Sequence, residues 1–195
     1  MSPGRGVQYN LAHKGRSNIV SSSATTTVDF ISHSVEQTIQ VGVLLGEVLQ
    51  GGDVLCLSGD LGAGKTALTR GIAAGWGARE PVTSPTFTLV HEHTRAPDGQ
   101  MLYHIDCYRI ESPADAWSIG LEDMIYGEHV AVIEWAENVR DLLPPDCLWI
   151  TLSFLGDSER RLSFRATGER ARALLHAFRE RTVGRQAGPG AMKER

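Results

Sequence analysis

The sequence predicts an α/β fold: a mostly parallel sheet flanked by helices, with antiparallel hairpins added to it. Three observations predict it. Val54-Leu55-Cys56-Leu57 and Val130-Ala131-Val132-Ile133 are short, wholly apolar runs, the pattern of strands buried on both faces in a parallel sheet. A glycine-rich stretch from Gly59 to Gly64 follows the first run and leads into a helix-compatible segment, Lys65 to about Trp76. Further β-rich runs flank the turn dipeptides Asp98-Gly99 and Gly156-Asp157, as hairpins do. Strand, loop, helix and further strands in this order describe a sheet sandwiched by helices.

The elements follow in turn. Residues 1–27 are rich in Gly, Ser and Thr and lack a sustained apolar period. Too little apolar surface is present to offset the entropy of ordering, so a disordered extension is expected. No acid precedes Asp29, and Arg5, Lys14 and Arg16 are the bases. Organelle transit peptides share that bias, but the basic density is low and no amphipathic helix stands out. Ser34 opens a helix, with Gln37 at the capping-box position and Val35, Ile39, Val43, Leu44 and Val48 near helical spacing. Gly51-Gly52 ends it. After the glycine-rich loop and its helix, Thr86 to His93 and Met101 to Ile105 suggest one hairpin. Leu148 to Phe154 and Arg161 to Ala166 suggest another. Residues 168–181 read as a helix with Leu174, Leu175 and Phe178 on one side. The predicted organisation is a disordered extension over 1–27, one folded domain over 28–182, and a disordered tail over 183–195.

A length of 195 residues suits one domain. With 42% apolar and 22% charged residues, wholesale disorder and fibrous repeats are excluded. No run reaches the roughly 18 apolar residues of a spanning helix, so no membrane role is expected. The formal charge of −4 is unevenly spread: +3 over residues 1–28, −12 over 29–155 and +5 over 156–195. So acidic a middle repels a phosphate backbone, which argues against a broad nucleic-acid surface there. Cys56, Cys107 and Cys147 are odd in number and lack a Cys-x-x-Cys pair. They fit buried thiols in a reducing compartment rather than disulfides or structural zinc.

The decisive motif is Gly59-Asp60-Leu61-Gly62-Ala63-Gly64-Lys65-Thr66, a complete G-x-x-x-x-G-K-[ST] phosphate loop. Its glycines let main-chain N–H groups turn inward on a phosphate chain, and the helix that follows, from Lys65 through Ala67 onward, presents its positive end to the same anion. Lys65 is expected to reach the β- and γ-phosphates and the Thr66 hydroxyl to ligate Mg²⁺. The fold is therefore predicted as a P-loop NTPase-type sheet. Such a site needs carboxylates opposite the loop. Asp106 closes one β-rich run and Glu134 closes the second apolar run. In a parallel sheet both emerge at strand C-terminal ends, where ligands bind. A bound Mg²⁺ would weaken Glu134 as a base, so its expected place is at the metal and the attacking water. Thr83-Ser84-Pro85-Thr86 has two readings: a switch sensing the γ-phosphate, or a loop with local hydroxyl-to-backbone bonds. His104 and Tyr103 are similarly open between core and site.

Five segments occur in one order: Gly59 to Thr66, Ser84 to Val90, Tyr103-His104-Ile105-Asp106-Cys107-Tyr108-Arg109, Gly120-Leu121-Glu122-Asp123 and Ile133-Glu134-Trp135. Together they resemble the TsaE (YjeE) family, small bacterial ATPases of tRNA threonylcarbamoyladenosine synthesis, over about residues 29–165. The resemblance implies a cytoplasmic, Mg²⁺-dependent ATPase that works with TsaD and TsaB. It implies that tRNA is met indirectly through that complex. The modified base is the adenosine beside the anticodon of tRNAs reading codons that start with A. It implies that Lys65, Asp106 and Glu134 serve catalysis, and that Thr66, Asp106 and Glu134 hold the metal. ATP is expected on Asp60, Leu61, Gly62, Ala63, Gly64, Lys65, Thr66 and Ala67, with Ser84 and Thr86 as a switch-like segment. Trp135 is expected beside the site and Thr38 near the adenine. Cys107 stands where the family usually has Leu, an apolar exchange the fold should tolerate.

Two other classes fit the sequence less well. A small-molecule kinase needs an arginine-rich lid, and Arg70, Arg79, Arg95, Arg109 and Arg140 between residues 66 and 155 form no such run. A nucleotide-binding adaptor without hydrolysis has no use for Asp106 and Glu134.

Overall fold

A computed structural model describes residues 7–10, 18–21, 27–80, 82, 89–95 and 97–184. The strands are β1 (Val7–Asn10), β2 (Asn18–Ser21), β3 (Thr27–Ser32), β4 (Val54–Ser58), β5 (Val90–Thr94), β6 (Met101–Asp106), β7 (Val130–Glu134), β8 (Leu148–Phe154) and β9 (Arg160–Ala166). They form one sheet in the order β1-β2-β3-β9-β8-β4-β7-β6-β5. Its centre, β8-β4-β7-β6, is parallel. Antiparallel pairing adds β5 on one side and β9, β3, β2 and β1 on the other. The α/β class predicted from the sequence is the class observed, with the parallel part confined to those four strands. Both wholly apolar runs lie in the parallel centre: Val54 to Leu57 and all of β7 are buried.

Helices cover both faces. On one lie α1 (Val35–Gly46), α2 (Lys65–Trp76) and α5 (Glu169–Gly184), sharing a core with Leu55, Leu57, Val132, Ile150 and Phe164. On the other lie α3 (Pro113–Ser118), α4 (Leu121–Ile125) and a 3-10 segment over Ala136–Leu142, packed on Cys56, Ile105, Ala131 and Ile133. The alternation of side chains along buried strands sends successive residues to opposite cores. No helix among the described residues is long and apolar enough to cross a membrane.

Helix α1 departs from its sequence reading in two respects: it ends at Gly46, ahead of Gly51-Gly52, and it buries a different face. Ser34 caps it as expected, its hydroxyl accepting from Gln37 N at 3.3 Å, while Gln37 Oε1 accepts from His33 N at 2.7 Å, one residue before the cap. The buried face, however, is Thr38, Val41, Gly42, Leu45 and Gly46, and Val35 is exposed. The physical reason is close helix packing. A Cβ on Gly42 or Gly46 would strike the main chain of α2 at Leu68 or Ile72, and one on Gly71 or Gly75 would strike α1 at Ile39 or Val43. Absent side chains let the backbones meet, so glycines and not the larger apolar residues mark the seam. This contact fixes where α2 begins.

The ends also differ from expectation. Within 1–27, Val7–Asn10 and Asn18–Ser21 pair as a hairpin that extends the sheet from β3, and β3 itself starts at Thr27. The open main-chain groups of an edge strand template such additions without a long apolar pattern. Helix α5 runs to Gly184, past the boundary set at 183. The remaining residues of both expected tails lie outside the described ones.

Candidate functional site

The parallel centre brings three strand ends together. Leu57 on β4 is level with Glu134 on β7, and Glu134 is level with Asp106 on β6. The loop Gly59 to Gly64 therefore starts beside two acids. Gly59 has φ 134° and Gly64 φ 106°, a region closed to ordinary side chains. A Cβ on Gly59 would also collide with the Leu152 carbonyl of β8. Among the described residues no side chain caps α2 at Gly64, which leaves the N–H groups of its first turn suited to an anion.

The loop, the start of α2 and the two strand ends line a cavity of about 320 Å³. Leu61, Gly62, Gly64, Lys65, Thr66, Ala67, Asp106 and Glu134 contribute, with Tyr108 and Trp135. Asp60 is exposed, and its carbonyl accepts from Ala63 N at 3.1 Å, which closes the turn. Ala63 itself is buried.

Lys65 is buried, and its Nζ donates to the carbonyls of Gly59 at 2.5 Å and Asp60 at 3.0 Å. It also sits 3.6 Å from the centre of the Trp135 ring, within cation–π range. Burial pulls its pKa below the ordinary lysine range, opposed by the carboxylates of Glu134, Glu137, Asp106 and Asp60. Trp135 reaches this position through a left-handed backbone, φ 58°, a costly conformation for a bulky residue. It ends β7 abruptly and turns the indole over the loop, where Tyr108 packs against it at 4.9 Å between ring centres.

Glu134 is 3% exposed and fully engaged. Its Oε2 accepts from the Thr66 hydroxyl at 3.0 Å, and its Oε1 lies 3.4 Å from the Thr69 hydroxyl, whose one proton it shares with the nearer Lys65 carbonyl at 3.1 Å. His104 Nε2 lies 2.8 Å from the same Oε1. Asp106, 6% exposed, accepts from Tyr108 N at 2.9 Å through Oδ1. A hydroxyl and two carboxylates at one end of a phosphate loop form an all-oxygen donor set, which suits a hard divalent cation such as Mg²⁺.

The structure brings together the loop, Ala67, Asp106, Glu134 and Trp135. Thr38 stands on the far side of the loop. Its hydroxyl is tied to Ser32 Oγ at 2.8 Å and Ser34 O at 3.3 Å. With Gly62, Ala63, Gly64 and Ala67 it lines a separate small cavity of about 40 Å³. Ser84 and Thr86 lie outside the described residues. One neighbour, Thr69, escaped the sequence reading, and His104, which the sequence left open between core and site, also meets Glu134. Thr69 follows Thr66 by three residues on α2, and His104 precedes Asp106 by two on β6. Helical and strand periods place each beside its partner, and that spacing was the available signal.

A curled loop between a buried parallel strand and a helix start, faced by two strand-end acids, defines a protein of the P-loop class. Residues 32–162 match the family model of the threonylcarbamoyl adenosine biosynthesis protein TsaE, and the chain belongs to this family. It is 41% identical over 140 residues to the tRNA threonylcarbamoyladenosine biosynthesis protein TsaE of Bacillus subtilis, covering 71% of this chain and 85% of that protein. The protein of the same name from Treponema pallidum is 40% identical over 134 residues, covering 68% of this chain and 96% of the relative. The crystal structure of YdiB from Bacillus subtilis superimposes with a TM-score of 0.65 at 33% identity. It covers 83% of this chain and 97% of YdiB.

Proposed function

We propose that the chain is an ATP-hydrolysing accessory of tRNA threonylcarbamoyladenosine synthesis, acting with TsaB and TsaD partners in the cytoplasm. The single observation that carries the hydrolytic reading is the hydrogen bond from the Thr66 hydroxyl to Glu134, 3.0 Å long. It joins the loop residue expected at a Mg²⁺ ion to the acid expected across from it.

In this reading the main-chain amides at the start of α2 and the Lys65 ammonium hold the phosphate chain of ATP. Thr66, Asp106 and Glu134 are the residues that would hold Mg²⁺. The ion supplies neutralisation of charge on the terminal phosphates. Glu134 and Asp106 orient the attacking water, and His104 fixes the rotamer of Glu134 from behind. Trp135 covers the Lys65 ammonium on its open side and limits water there. Ser84 and Thr86 complete the site as a switch-like segment, and Thr38 serves the adenine end. The acidic middle of the chain suits contact with protein partners that carry the tRNA. The target is the adenosine beside the anticodon in tRNAs that read codons beginning with A.

The test is ATP turnover by the full chain with and without TsaB and TsaD, scored beside the yield of modified tRNA. Expected are slow hydrolysis alone, stimulation by the pair, and modification only when all three are present. Modified tRNA formed equally well without this chain would overturn the reading.

A further inference from the structure

Three histidines gather behind the acid pair. His91 and His104 are direct partners across the antiparallel β5–β6 ladder, and partners in a ladder point to the same face. His93 follows His91 by two residues on β5 and so shares that face. The His91 ring is edge-on to both others, 6.3 Å from His93 and 6.4 Å from His104 between centres. One nitrogen from each ring lies within 4.8 Å of the other two.

Two of these rings carry an unanswered nitrogen. His93 and His104 are 7% and 0% exposed, yet among the described residues His93 Nε2 and His104 Nδ1 have no hydrogen-bond partner. Buried polar atoms are ordinarily paired, and an orphan demands an explanation. Here both orphans are imidazole nitrogens in one cluster. Burial, with His104 and His91 alongside, holds His93 toward the neutral form, which is the ligating form.

We propose that His91, His93 and His104 form a three-imidazole site for a borderline divalent transition ion of the Zn²⁺ type, with a fourth position open to water. Three neutral nitrogens select such an ion over Mg²⁺, which demands oxygen donors. Metal–nitrogen bonds of about 2.0–2.1 Å require the rings to draw together by roughly 1 Å or more, within reach of side-chain rotation. The half-buried ring of His91 supplies the entry side. His104 has its other nitrogen, Nε2, 2.8 Å from Glu134 Oε1. A ligating histidine that donates its second N–H to a carboxylate is the usual outer-shell arrangement of such sites. Metal on His104 Nδ1 fixes the tautomer in which Nε2 donates to Glu134, so the ion would also hold that carboxylate in place.

The experiment uses the untagged full chain, stripped with chelator and titrated with Zn²⁺ calorimetrically in excess Mg²⁺. A parallel titration with Co²⁺ is followed by visible absorption. One equivalent and a tetrahedral Co²⁺ spectrum are expected. Removing a supporting outer partner of a metal site weakens binding about 10–100-fold, so the double variant His91→Ala/His93→Ala should lose at least about 100-fold. Where that variant does not fold, His91→Ala alone replaces it and must weaken binding while the thermal transition stays cooperative. No binding to the wild-type chain, an octahedral Co²⁺ spectrum, or equal affinity in the folded variant would each overturn the proposal.

Discussion

Asp106 and Glu134 are direct neighbours across the parallel β6–β7 ladder, the last residues of their strands, and both are nine-tenths buried or more. Two acids so close at one sheet edge are compatible with stability only where cationic or hydrogen-bonding groups answer them. Lys65, Thr66, Thr69, His104 and the main chain of Tyr108 do so here. The acid pair and the phosphate loop are thus one electrostatic unit.

Glu134→Gln keeps the shape and hydrogen-bonding reach of the side chain but removes its charge. Nucleotide binding is expected within about threefold of the parent, with turnover in the presence of partners reduced by about 10²-fold or more. Filter binding and phosphate release measure the two quantities separately. Unchanged turnover would remove Glu134 from the reaction.

Lys65→Ala deletes the buried cation that touches Gly59 O, Asp60 O and the Trp135 ring. The loop glycines keep their conformation, so the chain should fold. ATP affinity is expected to fall at least about tenfold, equivalent to about 1.4 kcal/mol, and tRNA modification to stop. Competition with a fluorescent nucleotide reads the affinity, and parental affinity would contradict the site.

The α1–α2 seam gives a prediction independent of function. Gly71→Leu places a branched side chain against the Ile39 carbonyl. Overpacking costs about 1–3 kcal/mol or more, which at about 2–4 °C per kcal/mol lowers Tm by several degrees. Calorimetry is the measurement, and an unaltered Tm would show that the helices can separate freely.

Asp53 is 2% exposed, and Arg170 meets it with two nitrogens, at 2.7 and 3.2 Å. Arg170→Ala leaves a buried carboxylate answered, among the described residues, only by Gln50 N. The arginine is 44% exposed, so solvent screening reduces the loss to about 1–2 kcal/mol. Urea unfolding tests this, the variant shifting to lower midpoint with an unchanged slope.

Deleting residues 1–26 removes β1 and β2 and leaves β3 as the sheet edge. The loop lies beyond β9 and β8 from that edge, so ATP affinity is expected to change less than about twofold while self-association through the bared strand increases. Loss of nucleotide binding would tie the hairpin to the site.

The sequence alone determined the loop, its lysine and threonine, the two buried strands and the acids that end them. Each depends on short-range rules: glycine conformational freedom, runs that are apolar throughout, and the chemistry of phosphate. It also carried the order of segments that marks the TsaE family. Only the tertiary structure decided that Glu134 is shared among Thr66, Thr69 and His104, and that glycines form the α1–α2 seam. It alone showed Trp135 turned over Lys65, and His91, His93 and His104 on one face. Those contacts join residues far apart in the chain through strand register and helix approach, which no local pattern encodes.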